Sequence, residues 1–325
     1  MKMKYLFALI LSVVCLVIIS RISAQIRRNK QQQYAANLNN KNLVFSKNGE
    51  LAYYFEPEAN TSDTDSPEWL GYTAKYTYNS DGLNERFNYP IDKPADTFRI
   101  ITLGASYVFG LYVNTPENFS ELLEEELNKF SCSDYKKIEV INLGFPAYDI
   151  RYSVERYIRK GQKYNPDLLL WLLYDDNFIR VNEYILPIEK KFEEEGVPVY
   201  NPANHTYERN RRAIMEFNSQ YSLETILNYQ RDSLSLLNKY YTGKLIIAYF
   251  PTMKKEYKNL INEFISTRKD ITDYNEMTDV RNLSEYSFPD GHPNRKGHEI
   301  IEKDLFKVIT GTVLSSCRIK EQMSS

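Results

Sequence analysis

The chain has 325 residues, 41 Lys+Arg against 43 Asp+Glu, and a formal net charge of -2. A quarter of it is charged (26%), a globular average that excludes an acidic disordered chain and a basic nucleic-acid binder. Three cysteines, Cys15, Cys132 and Cys317, form neither a disulfide framework nor a CxxC metal set. Histidine is equally scarce: His205, His292 and His298 are the only candidates for a histidine base.

Tyr5 to Ser20 is an uncharged, mostly apolar run of 16 residues between Lys4 and Arg21. It reads as an N-terminal apolar helix, either an uncleaved signal anchor or a cleaved signal peptide within 1–24. Both readings send the rest of the chain out of the cytoplasm. Residues 25–50 are rich in Gln, Asn and Lys and read as a stalk. Residues 51–95 mix Tyr, Pro, Asn and Asp and predict an irregular extension with short strands.

The pattern then becomes regular. Thr97–Leu103 predicts a buried strand ending at Gly104. Thr115-Pro116 predicts a helix start, with Thr115 as cap and an apolar face of Phe119, Leu122, Leu123, Leu127 and Phe130. Ile138–Asn142 predicts a second strand, and Asp149 a cap for a helix holding Val154. Leu168–Leu173 is apolar on both faces, as in a central parallel strand. A long helix through Leu223–Leu237, a strand at Leu245–Tyr249 and a helix at Glu299–Ile309 follow. Strand–helix alternation predicts a parallel α/β sheet with helices on both faces and ligands at the strands' carboxyl ends. The expected domain is 96–315, with a lid inserted at about 178–220 and a tail at 316–325.

Three polar clusters fall late in the chain or at strand ends: Gly104-Ala105-Ser106, Tyr174-Asp175-Asp176-Asn177 and Asp290-Gly291-His292. A serine hydroxyl needs a base in reach and a group to orient that base. His292 is the best base, and Asp290 can hold its other ring nitrogen. His298, at a helix start, reads as structural, and His205 lies in the lid. No phosphate-binding glycine loop, dinucleotide fingerprint or metal-spaced His/Cys set occurs, so no cofactor and no metal are expected.

Between Thr77 and Ile309 the chain resembles the SGNH (GDSL-like) hydrolase superfamily, extracytoplasmic bacterial-type branch. TFRIITLGASYVFGLYVNTPENFSELLEEELN (97–128) is similar to block I, VINLGFPAYD (140–149) to block II, NPDLLLWLLYDDN (165–177) to block III and DGHPNRKGHEII (290–301) to block V. The resemblance implies a three-layer α/β/α sandwich with a central parallel sheet of flavodoxin-like type. It implies Ser106 as nucleophile, His292 as base and Asp290 as orienting acid in a D-x-H spacing. It also implies an oxyanion hole from the Ser106 and Ala147 peptide N–H groups and the Asn177 side chain. Ala105 replaces the Asp of Gly-Asp-Ser, Ala147 the usual glycine, and Asp176-Asn177 stands where Asn-Asp is expected. The implied activity is a membrane-anchored esterase or O-acyl transferase acting on an ester-bearing small molecule, glycan or lipid. The alternative is an impaired relative that binds a glycan or envelope component.

Overall fold

The computed structural model describes residue 21 and residues 50–131, 135–201, 207–281, 283–315 and 318–319. The apolar run, the stalk up to residue 49, His205 and all three cysteines lie outside the described residues.

A short antiparallel pair comes first, β1 (Ser62–Asp65) and β2 (Ala74–Thr77). β3 (Thr97–Leu103) follows, then the four-residue α1 (Ser106–Phe109) and α2 (Phe119–Leu127). The cap of α2 is Asn118, whose side chain accepts from the Ser120 and Glu121 N–H groups. Thr115 instead opens a separate 3-10 turn, Thr115–Glu117, closed by Asn114 and Glu117. Phe130 belongs to β4 (Phe130–Ser131) rather than to the helix. β5 (Lys137–Asn142) leads to α3 (Ile150–Arg156), capped by Asp149 through the Tyr152 N–H at 2.7 Å.

β6 (Leu168–Leu173) runs into α4 (Asp175–Ile179). Next come α5 (Asn182–Glu194), α6 (Glu208–Gln220) and α7 (Leu223–Leu237). β7 (Lys244–Tyr249), α8 (Lys255–Ile265), β8 (Ile271–Tyr274), α9 (Arg295–Thr312) and β9 (Arg318–Ile319) complete the order.

β3, β5, β6, β7 and β8 form one parallel sheet in the order β5-β3-β6-β7-β8. This is the doubly wound 2-1-3-4-5 order, whose chain reverses direction across the sheet between β3 and β6. All six β6 residues are buried, because the strand is central and covered on both faces. Leu168, Leu170 and Leu172 face one layer with Phe119, Leu123 and Leu127 of α2 and Ile301 and Leu305 of α9. Leu169, Trp171 and Leu173 face the other with Val154 of α3, Leu234 and Leu237 of α7 and Leu260 and Ile261 of α8. Two-residue strand periodicity thus divides one run between two cores.

α5 and α6 pack on each other through a small core of their own, including Tyr184, Ile185, Ile188, Ala213 and Phe217. They form an inserted helical pair. The segment before β3 packs on the turn after it. Asn84 Nδ2 donates to Phe109 O at 2.8 Å, and Tyr76 Oη accepts from Tyr112 N at 2.9 Å.

Two glycines bring the serine turn close to its neighbours. Gly104, at φ +152, leaves room for Val108 Cγ2, and an added Cβ would also sit 2.9 Å from Leu172 O. A Cβ on Gly144 would overlap Phe109 N and lie 2.6 Å from Val108 C. Gly144→Ala is therefore expected to lower stability by about 1–3 kcal/mol, since the backbone of α1 cannot give way cheaply. Gly311→Ala, in open space on α9, is the control and should raise the urea midpoint slightly.

Candidate active site

Ser106 is the first residue of α1, one step beyond the Gly104-Ala105 turn at the end of β3. His292 and Asp290 sit on the turn that precedes α9. Although 186 positions separate them, His292 Nε2 lies 2.8 Å from Ser106 Oγ. His292 Nδ1 lies 2.8 Å from Asp290 Oδ2, and the His292 peptide N–H donates to Asp290 Oδ1 at 3.1 Å. Asp290 thus holds both the ring and the backbone of the residue it orients. A carboxylate only accepts, so Nδ1 carries the proton and Nε2 of the neutral ring is left to accept from Ser106. Tyr107 and Tyr112 enclose the ring edge-on, with centroids at 5.5 and 5.3 Å. This arrangement can draw the serine proton onto the imidazole as the oxygen attacks an electrophilic carbon.

The groups implied for an oxyanion hole separate. Ala147 lines a cavity of about 390 Å³ together with Ser106, Tyr174, Asp176 and His292. Its φ of +64 lies in the left-handed region where glycine is usual, so the alanine is strained. Asn182 Nδ2 secures the conformation from the first residue of α5, donating to Ala147 O at 2.8 Å. The Ala147 peptide N–H makes no hydrogen bond to another described residue.

Asn177 does not take the expected donor position. Its Oδ1 accepts from Tyr174 N at 2.9 Å and its Nδ2 donates to Tyr148 O at 3.1 Å. The side chain is buried behind the loop, 1% exposed, and is absent from the cavity wall. The reason is local. α4 begins at Asp175, and its third residue turns back to cap the helix N-terminus. The side chain that does face the cavity is Asp176.

Sequence reasoning placed Tyr174 in a strand-end cluster but gave it no role, and its hydroxyl lies 2.9 Å from Ser106 Oγ. Burial pushes this phenol's pKa up, and the Asp176 carboxylate adds to the effect. The inserted segment adds Arg180, Glu189, Val199, Tyr207 and Asn210 to the wall, and Leu111 and Pro146 come from the loops on the other side. Asn210 bridges two of these groups, accepting from Arg180 Nη2 at 2.6 Å and donating to Glu189. Tyr207 Oη is 2.7 Å from Tyr112 Oη, which ties the lid to the loop beside His292. Asp149 links the loop after β5 to the start of α5, since its Oδ2 accepts from Asn182 N at 2.7 Å. Burial raises its pKa to about 6, against the opposing pull of those N–H donors.

His298 stands apart from the chemistry. It is fully buried, and its Nδ1 accepts from the Phe119 N–H at 3.2 Å at the start of α2. Among the described residues no metal-competent group of His, Cys, Asp and Glu occurs, and no helix is long and apolar enough to cross a membrane.

No family model matches the chain, and no curated protein matches it. Among solved structures it is similar to the psychrotrophic esterase EstA from Pseudoalteromonas sp., at 15% identity over 66% of this chain and 98% of that one, TM-score 0.41. It is similar to the lipase/acylhydrolase from Enterococcus faecalis, at 15% identity over 69% of this chain and 98% of that one, TM-score 0.44. It is also similar to a G-D-S-L family protein from Desulfitobacterium hafniense, at 14% identity over 65% of this chain and 98% of that one, TM-score 0.36.

Burial holds the His298 pKa down to about 3 from an ordinary 6.5, with the nearby His292 adding to the effect. Between those values the unfolded chain takes up a proton that the folded chain does not, so this group's share of stability falls as pH falls. His298→Gln keeps an acceptor for Phe119 and removes the titration. Urea unfolding from pH 7 to pH 4 should therefore show the wild type's advantage over this variant shrinking. An advantage independent of pH would show that His298 is not held neutral.

Proposed function

We propose that the chain is a serine ester hydrolase working through an acyl-serine intermediate. The observation that carries this reading is the chain of two 2.8 Å contacts from Ser106 Oγ to His292 to Asp290, opening on the cavity at the sheet's carboxyl edge. Ser106 attacks the ester carbonyl while its proton passes to His292 Nε2. The tetrahedral intermediate then collapses, and His292 returns the proton to the leaving alcohol. Water cleaves the acyl-enzyme by the same route in reverse, and an acceptor hydroxyl entering in its place makes the reaction an acyl transfer. The Ser106 and Ala147 peptide N–H groups are the backbone donors for the oxyanion.

The cavity admits a small acyl group or a short polar ester and has both aromatic and charged walls. Tyr5–Ser20 anchors the chain, with the site outside the cytoplasm. Alkaline washing of a membrane fraction should then leave the protein in the pellet, and release into the wash would identify a cleaved signal instead.

Asp176 favours one second reading, a relative that kept the cleft for binding, because a carboxylate beside a developing oxyanion opposes it. A fluorophosphonate probe separates the two. Covalent labelling of Ser106 marks a working nucleophile, and an unlabelled serine marks a binder. Ser106→Ala and His292→Ala should each lower kcat/KM for p-nitrophenyl acetate by roughly 10⁴-fold or more. Equal turnover by Ser106→Ala and the wild type would refute the assignment.

A further inference from the structure

Ser106 Oγ has two partners, and its single proton decides what each one does. His292 Nδ1 is committed to Asp290, so Nε2 accepts and receives the serine O–H. Tyr174 Oη, 2.9 Å from Oγ, then has to be the donor in the second contact. Ser106 Oγ is the side-chain partner of Tyr174 Oη. Its ring is fixed by stacking on Tyr107, with centroids 4.4 Å apart and planes 16° apart. Tyr107 in turn donates its hydroxyl to Gly291 O at 2.8 Å, between Asp290 and His292. One stack therefore holds the phenol on one side of the nucleophile and the base on the other.

The Ser106 peptide N–H also lies against the Tyr174 oxygen. That places the phenol beside one of the backbone donors proposed for the oxyanion. The amide at 177 is committed to backbone groups, and the side chain at 176 is an acceptor. Burial keeps the phenol protonated, so it remains a donor.

We propose that Tyr174 is a catalytic residue of the ester cleavage proposed above, its O–H supplying the side-chain hydrogen bond to the tetrahedral oxyanion. This rests on the serine hydrolase reading. As the Oγ–C bond forms, the serine proton moves to His292 Nε2 and the carbonyl π pair moves onto the carbonyl oxygen. In the tetrahedral intermediate Oγ becomes an ether-type oxygen and a poorer acceptor. The oxyanion is bonded to the same carbon, so the phenol exchanges one acceptor for a neighbouring one. It keeps its proton throughout. On collapse the bond to the alcohol oxygen breaks, and His292 protonates that oxygen.

The test uses the full chain with p-nitrophenyl acetate and the fluorophosphonate probe. Tyr174→Phe keeps the ring and its stack and loses only the hydroxyl. Its kcat should fall by about 10²-fold or more, with KM within a few-fold of wild type, and Ser106 labelling should slow in parallel. A second variant carries 3,5-difluorotyrosine at position 174, which preserves shape and makes the phenol more acidic. A phenolate cannot donate, so the alkaline limb of its kcat profile should move to lower pH. Wild-type kcat in Tyr174→Phe, or an unmoved alkaline limb in the fluorinated protein, overturns the role of Tyr174 and leaves the hydrolase reading intact. A wild type as inert as Ser106→Ala toward both reagents overturns the hydrolase reading, and the role of Tyr174 with it.

Discussion

The site depends on the pairing of two strands far apart in sequence. β3 and β6 lie side by side in parallel, with Leu103 opposite Trp171. Both strands end at the same edge, one in the serine turn and the other in Tyr174. Between them the chain has gone out to β5 and come back, so the connections leave in opposite directions and a crevice remains open at the switch. Ser106 and Tyr174 can meet only because that register holds. The close passage of Gly104 and Gly144 lets the turn sit low enough in the crevice for His292 to reach it.

Much of this is legible in the amino-acid order. Leu168–Leu173 reads as a central strand because apolar residues at every position suit only a strand covered twice. Ser106, Asp290 and His292 stand out because the chain offers only three histidines and one Asp-Gly-His turn. Other features depend on a choice between neighbours that sequence does not rank. Thr115 and Asn118 are both good caps, and the helix starts at the second. β8 is a four-residue edge strand with only Tyr274 buried, too short and too wet to show an apolar signature. Asp176 and Asn177 are adjacent, and the turn into α4 decides which faces the cavity. Tyr174 opens the polar cluster after β6, but it is one of 27 tyrosines, and only tertiary placement brings its hydroxyl to Ser106.

Polar side chains do much of the positioning. Asn177 and Asn182 tie down consecutive carbonyls, those of Tyr148 and Ala147. The strained alanine is thus clamped from two directions, one from the β6 loop and one from the lid. Asp149 adds a third tie through Asn182 N. The peptide at position 147 is thus held by hydrogen bonds from the Asn177 and Asn182 side chains, with Asp149 fixing Asn182 in turn. This is one reason a left-handed alanine persists where glycine would relax the turn.

Ser106 and His292 come from opposite ends of the folding unit, and this separation sets the order in which they are made. Ser106 leaves the ribosome early, whereas Asp290 and His292 come after every strand of the large sheet. Their turn is held by Tyr107 and by the docking of α9, which His298 secures against the start of α2. A chain interrupted before this point carries a serine with nothing to take its proton. The pairing of Ser106 with His292 thus becomes possible only once the segment leading into α9 has been made.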